Sequence, residues 1–96
     1  MRTQIISLKT GFQFDGKYYT DVVVREASLG DMMAAENDAP AYNPISFKAA
    51  LICRCIEKVE GIDTPITMSM MRELSPKDWH LLARGFDALE EVGNDS

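Results

Sequence analysis

The sequence predicts an α+β fold in which an N-terminal β-hairpin packs on about four α-helices. Three observations support this prediction. Two strand-like segments flank the dipeptide Asp15-Gly16, a frequent hairpin turn. Two Ser-x-x-Asp sequences, at residues 28–31 and 75–78, are typical of helix N-termini. The 96 residues suffice for one domain with a thin core, and no repeat or linker divides them.

The hairpin is predicted over about residues 4–25. Asp15-Gly16 suits a type I′ turn because both residues tolerate the positive φ that the turn requires. A two-residue loop also fixes which residues of the two strands are paired. In that register Val22 and Val24, the expected buried residues of the second strand, lie opposite odd-numbered positions of the first strand. Because this parity conflicts with the expected buried face, we predict a β-bulge near Gly11.

Four helices are predicted after the hairpin, at about residues 29–36, 44–60, 68–74 and 76–91. Ser28 and Asp31 predict a capping box at the first helix, in which each side chain accepts the backbone N–H of the other residue. Ser75 and Asp78 predict the same arrangement at the last helix. These two boxes fix where the first and last helices begin.

The second helix has the clearest limits. Asn43 is the expected N-cap, Pro44 suits the first helical position, and Gly61 is a natural C-cap. Apolar residues lie on two sides of this helix, so that it needs two packing partners. The residues between the first two helices, 37–43, are expected to form the most mobile loop, and the end of the chain, 94–96, is expected to fray.

Charge excludes two classes of partner. The net charge is −5, and the ten Lys and Arg residues are scattered along the chain. Binding to duplex DNA draws most of its affinity from cations that neutralise phosphates, and an anionic membrane surface makes the same demand. We therefore expect no nucleic acid and no membrane among the partners.

The sequence offers no constellation for catalysis, cofactor binding or metal binding. His80 is the single histidine and has no nucleophile at helical contact spacing other than Ser75 at the helix start. Cys53 and Cys55 point away from each other on a helix, and they are more typical of small buried apolar residues than of metal ligands. The six glycines fall singly, so no phosphate-binding loop is present. We expect a protein that is not an enzyme.

The cellular location follows from two further expectations. No apolar run approaches the ~20 residues that span a bilayer. The N-terminus lacks the order of segments found in a signal peptide. The chain is therefore predicted to stay in the cytoplasm where it is made.

Methionines make the third predicted helix unusual. Met68, Met70 and Met71 precede Leu74, and methionine recurs on surfaces that accept varied apolar partners. This pattern has two interpretations, a binding surface for a client protein or gap-filling in a small core, and the core interpretation is the more common one. Tyr42, in the loop before the second helix, is a further candidate for partner binding, as is the exposed edge of the hairpin.

Three segments in fixed order resemble a known family. Asp15-Gly16-Lys17 lies in the hairpin, Arg25-Glu26 is followed by Gly30-Asp31, and the closing helix contains Asp78-Trp79. This order resembles the phage tail assembly chaperones of Mu-like and P2-like phages and prophages. Ala27 departs from the pattern, because the family often has proline there.

The resemblance implies a non-enzymatic function. Such chaperones bind the tape-measure protein, keep it soluble and recruit tail tube subunits, and they are absent from the mature virion. Arg25, Glu26 and Asp31 are then expected to form a strand-end charge pair and a helix cap. Self-association stays open, since the chain has surplus apolar helix surface. The alternatives are a small phage-derived regulatory protein that binds nucleic acid or a host factor, and a structural tail or connector component.

Overall fold

A computed structural model describes residues 2–39 and 42–94, with side chains up to residue 90. The described part contains three strands and four helices, in the order β1 (Thr3–Phe14), β2 (Lys17–Arg25), α1 (Leu29–Asp38), α2 (Pro44–Cys55), β3 (Ile56–Val59), α3 (Met68–Arg72) and α4 (Pro76–Asn94). The strands form one antiparallel sheet in the order β1-β2-β3. The α+β class is confirmed, with a third strand added to the predicted hairpin.

The hairpin has the predicted turn and the predicted bulge. Asp15 has φ 54° and Gly16 has φ 79°, as a type I′ turn requires. The pair Phe12–Tyr19 is in register with this turn, but the next pair of the ladder toward the N-terminus is Ser7–Asp21. From one pair to the other β1 advances five residues while β2 advances two, so β1 carries three extra residues. Gly11 lies in this bulge with φ 91°.

The predicted second helix is too long by five residues. It ends at Cys55, and Ile56–Val59 leave the helical conformation to form β3 against β2. Ile56 and Val59 are three residues apart, which is a helical spacing. In the strand their partners are Val24 and Val22, which share one face, because the register of β3 shifts between the two pairs. The apolar spacing was therefore correct as a burial pattern, but it did not indicate a helix.

Asn43 is the N-cap of that helix and Pro44 occupies its first turn, as predicted, but the Asn43 side chain makes no capping hydrogen bond. The predicted C-cap is wrong, because Gly61 follows β3 in a turn with φ 98° and ends no helix. The second open edge of β2 explains the early end of α2, since the unpaired backbone groups of β2 gain a ladder when the chain leaves the helix.

The limits of the other helices differ by a few residues. α1 runs to Asp38 and α4 to Asn94, beyond the predicted ends at 36 and 91. α3 ends at Arg72 instead of 74. Of the predicted mobile loop, residues 40 and 41 lie outside the described part, and so do residues 95 and 96 of the predicted frayed end. No helix among the described residues has the length and apolar character needed to cross a membrane.

The core lies between one face of the sheet and helices α2 and α4. Ile6, Val22 and Val24 are buried on the sheet, and they pack with buried residues of the helices, among them Ile52, Cys55, Leu82 and Phe86. α4 lies close to β1, where a Cβ on Gly85 would be 2.6 Å from the Cδ1 atom of Ile6. The other face of the sheet carries Ile5, which is exposed, and Tyr18 is exposed near the hairpin turn.

Substitution of Gly11 by alanine is expected to destabilise the protein by on the order of 3 kcal/mol. The new Cβ would lie 2.2 Å from the carbonyl oxygen of Tyr19, and φ 91° is strained for any residue with a side chain. Gly16→Ala is the matched control, because its φ is also positive but no atom lies within 4 Å of the added Cβ. Urea unfolding of both variants measures the difference, and equal losses would contradict the role of the close backbone approach.

Candidate protein-docking site

A buried carboxylate joins α4 to the bulge of β1. Asp78 is fully buried, and its carboxylate accepts N–H groups from Lys9 (2.7 Å), Thr10 (3.2 Å) and Gly11 (2.8 Å). These N–H groups belong to the extra residues of β1. Burial opposes ionisation of Asp78, but the backbone donors, with a contribution from the Ser75 side chain, outweigh it and lower the pKa of the carboxyl group.

The capping box predicted at the last helix is therefore only half formed. The Ser75 hydroxyl accepts the N–H of Asp78 at 3.2 Å, as predicted. The Asp78 carboxylate turns to β1 instead of capping Ser75, because three unpaired N–H groups of the bulge need a buried acceptor. The first turn of α4 is thereby fixed against the sheet.

A second carboxylate joins β2, α1 and α2. Asp31 forms the predicted capping box with Ser28, and it also binds Arg25 through two bonds of 2.6 and 3.0 Å. Arg25 donates to the carbonyl oxygen of Arg54 in the last turn of α2, at 3.2 Å, and the Arg54 side chain lies 3.6 Å from Asp31. The Arg25 guanidinium, aided by Ser28, holds the pKa of Asp31 well below its usual range against the effect of burial.

Glu26 and Gly30, the other residues of the segment Arg25-Glu26 and Gly30-Asp31, lie near this cluster. The charge pair at the end of β2 is Arg25 with Asp31, whereas the Glu26 carboxylate accepts the backbone N–H of Arg2 at 3.3 Å. Gly30 is exposed in the first turn of α1. Ala27 donates its N–H to the Glu90 carboxylate at 2.9 Å, a bond that proline at this position cannot make.

A groove of about 480 Å³ lies beside the first turn of α4, the turn that Asp78 fixes against the sheet. Its walls come from the end of α1, the start of α2, α3 and the start of α4. Most of the lining is apolar, with Asp38 and Arg72 among its polar members, and the apolar side chains are Ala39, Ile45, Ala49, Met68, Met71, Leu74, Pro76 and Trp79. Ile45 is 70% exposed although it is a large apolar residue, at the start of α2.

Three of the five predicted partner-binding residues line this groove. They are Met68, Met71 and Leu74, of which Met71 is buried and therefore forms its floor. Met70 packs against the core and does not line the groove. Tyr42 is 82% exposed next to the start of α2, outside the lining. The structure thus brings together the α3 residues and leaves Tyr42 apart from them.

Sequence reasoning missed two parts of the apolar surface. Ile45 and Trp79 complete the walls of the groove, although each lies on an apolar helix face of the kind that is usually packed in a core. Leu29, Met32 and Met33 are exposed on α1. Their spacing of three and four residues was a signal for one helix face, but the sequence does not show whether such a face is buried. Met32 borders a second groove of about 420 Å³ between α1, α2 and α4.

The structure gives the cysteines no catalytic environment. Burial raises the pKa of Cys55 to about 11, and burial also raises the pKa of Cys53, whose thiol donates to the carbonyl oxygen of Ile66 at 3.3 Å. Thiols of raised pKa are weak nucleophiles at neutral pH. Within residues 2–39 and 42–94, no group of three or more His, Cys, Asp or Glu residues is placed to hold a metal ion.

Comparison with known proteins gave a family match. Residues 8–96 match the model of a family described as tail assembly protein gp41, of phage Mu. No curated protein and no solved structure matched the chain. The matched range contains the bulge, both carboxylate junctions and every residue that lines the groove.

Replacement of Asp78 by asparagine is expected to cost on the order of 3 kcal/mol of unfolding free energy. The amide has one acceptor oxygen in place of two, and its NH₂ group would face backbone donors. Asp87→Asn on the same helix is the control, since its ion pair with Lys48 is partly exposed and contributes little. Chemical unfolding compares the two, and a loss at Asp78 no greater than at Asp87 would contradict the role of the junction.

Acid is expected to unfold the protein through the same carboxylates. The pKa values of Asp31 and Asp78 are lowered in the folded state, so both groups stabilise the fold above about pH 4, the usual pKa of aspartate in an unfolded chain. As the pH falls further, the unfolded chain takes up protons first and this stabilisation is lost. Unfolding free energies measured from pH 5 to 2 should decline less steeply for Asp31→Asn than for the wild type, and parallel curves would contradict this.

Proposed function

Because the chain belongs to the tail assembly protein gp41 family, we propose that it acts as a chaperone of phage tail assembly, which binds the tape-measure protein, keeps it soluble and recruits tail tube subunits. The match over residues 8–96 is the observation on which the proposal depends. The protein acts in the host cytoplasm, performs no catalysis and leaves the tail before the virion is mature.

The groove between the four helices supports a binding role. Its apolar lining combines Ile45 on one wall, Met68 and Leu74 on another, and Trp79 at the start of α4. A tape-measure protein is a long helical protein, and an amphipathic helix binds by inserting apolar side chains spaced three and four residues apart into such a groove. Methionine side chains adapt to different apolar residues, which suits a client whose sequence varies along its length.

One wall of the groove is fixed before a client binds. Asp78 holds the first turn of α4, which carries Pro76 and Trp79, against the sheet. A site whose wall is already ordered loses little conformational entropy on binding. Trp79 can therefore contribute most of its exposed apolar surface to affinity.

Substitutions in the groove are expected to weaken client binding at least roughly tenfold, about 1.4 kcal/mol. Met68→Glu and Ile45→Glu each place a charge among apolar side chains that a bound helix would cover. Tyr18→Glu is the matched control, because Tyr18 is an exposed aromatic residue near the hairpin turn and does not line the groove. Met71 is unsuitable, since it is buried and its replacement would disturb the fold.

The test is co-expression of the protein with the tape-measure protein of the same phage. A solubility assay and a pull-down then measure binding, and circular dichroism shows whether each variant is folded. A tape-measure protein that becomes soluble and co-purifies with the wild type supports the proposed function. A tape-measure protein that stays insoluble beside a folded wild-type chain overturns it. Wild-type binding by both groove variants would retain the chaperone function but remove the groove as its contact surface.

Mass spectrometry of purified phage particles tests the remaining part of the proposal. The protein should be absent from the mature virion. Its presence at a fixed stoichiometry would favour a structural tail or connector component instead.

A further inference from the structure

β1 forms an outer edge of the sheet, and its backbone groups alternate in direction. Glu26 donates its N–H to the carbonyl oxygen of Arg2, so that even-numbered residues at the start of β1 face β2. On the other side of β2, Glu60 donates its N–H to the carbonyl oxygen of Asp21. The backbone groups of odd-numbered β2 residues therefore point to β3, and those of even-numbered β2 residues point to β1. The N–H and C=O groups of Thr3, Ile5 and Ser7 therefore point away from the sheet.

This edge is uncovered over five residues. Thr3, Ile5 and Ser7 are exposed, and Ile5 is 60% exposed although it is a large apolar residue. Proteins usually protect an edge strand with charges, proline or a bulge. The bulge of β1 begins only after Ser7, where the Asp78 carboxylate accepts the N–H groups of residues 9–11. The segment Thr3–Ser7 contains neither a charge nor a proline.

We propose that β1 pairs with β1 of a second copy of this chain, antiparallel, about a twofold axis at Ile5. Ile5 then lies opposite Ile5 of the second copy. Thr3 of each copy lies opposite Ser7 of the other copy. All three facing pairs use the outward backbone groups, which gives six N–H···O bonds and one sheet of six strands. This surface is separate from the groove and does not depend on the identity of any client.

The pattern of the edge favours a second copy over an unrelated strand. The outward residues are symmetric about Ile5, so the hydrogen-bonding pattern is complementary to itself. The apolar side chain at the centre meets an identical one, and aliphatic pairs directly opposite each other stabilise antiparallel strands. Although the whole chain has a net charge of −5, the five paired residues are uncharged and bring no like charges together.

The expected dimer is weak. A five-residue strand pair with one apolar contact buries less than the roughly 1,200 Å² of a standard interface, which is the size of transient complexes. The fraction of dimer should therefore depend on protein concentration, with a Kd in the micromolar range.

The test uses sedimentation velocity of the whole chain over a wide concentration range. The wild type should shift from monomer toward dimer as concentration rises. Ile5→Lys and Ile5→Glu should each weaken the dimer at least tenfold, because like charges would lie directly opposite each other at the axis. An equimolar mixture of the two variants should restore dimers, since Lys then faces Glu. Gln13→Lys, exposed at the far end of β1, is the control and should dimerise like the wild type.

Each readout can overturn the proposal. A wild type that stays monomeric throughout overturns it, and so does an Ile5→Lys variant that dimerises like the wild type. A mixture that stays monomeric overturns the register at Ile5. Hydrogen exchange gives an independent readout, because the outward amides of Thr3, Ile5 and Ser7 should exchange more slowly at high concentration. Dimers without that protection would overturn the pairing of strands.

Discussion

A buried carboxylate, that of Asp78, accepts the three N–H groups that the bulge of β1 leaves without a ladder partner. The two features need each other. Without the carboxylate the bulge would bury unsatisfied donors, and without the donors the carboxylate would be a buried charge with too few hydrogen bonds. The bulge in turn places Ile6 opposite Val22, so that both are buried on the same face of the sheet. The position of α4, one wall of the groove and the end of the uncovered β1 edge all follow from this contact.

The junction at Asp31 applies the same physical solution to neighbouring elements. Its carboxylate caps α1 through Ser28 and pairs with Arg25, which also satisfies a carbonyl group at the end of α2. Arg25, Ser28 and Asp31 are close to one another in sequence. The junction connects them to the end of α2, where the chain leaves the helix for β3.

The two Ser-x-x-Asp sequences are alike but form different hydrogen bonds, which shows which contacts can be predicted from the sequence. The box at Ser28 forms as predicted, because all of its donors and acceptors lie within four residues. At Ser75 the same pattern gives only one of the two bonds, since Asp78 finds stronger competition from donors far away in the chain. For the groove, α3 was identified from its methionines. Ile45 and Trp79 were not, because amphipathic spacing shows which residues share a face but not whether that face is covered.

The sequence by itself determined the α+β class, the turn at Asp15-Gly16, the need for a bulge near Gly11, the start of each capped helix and the family. All of these depend on interactions within a few residues or on patterns that are local in sequence. Only the tertiary structure decided that residues 56–59 form a strand, that Asp78 binds residues 67 to 69 positions away, and which apolar faces stay exposed. The reason is that a strand, a buried carboxylate and an apolar face each choose among partners that are distant in sequence, and the choice is made only when the whole chain has packed.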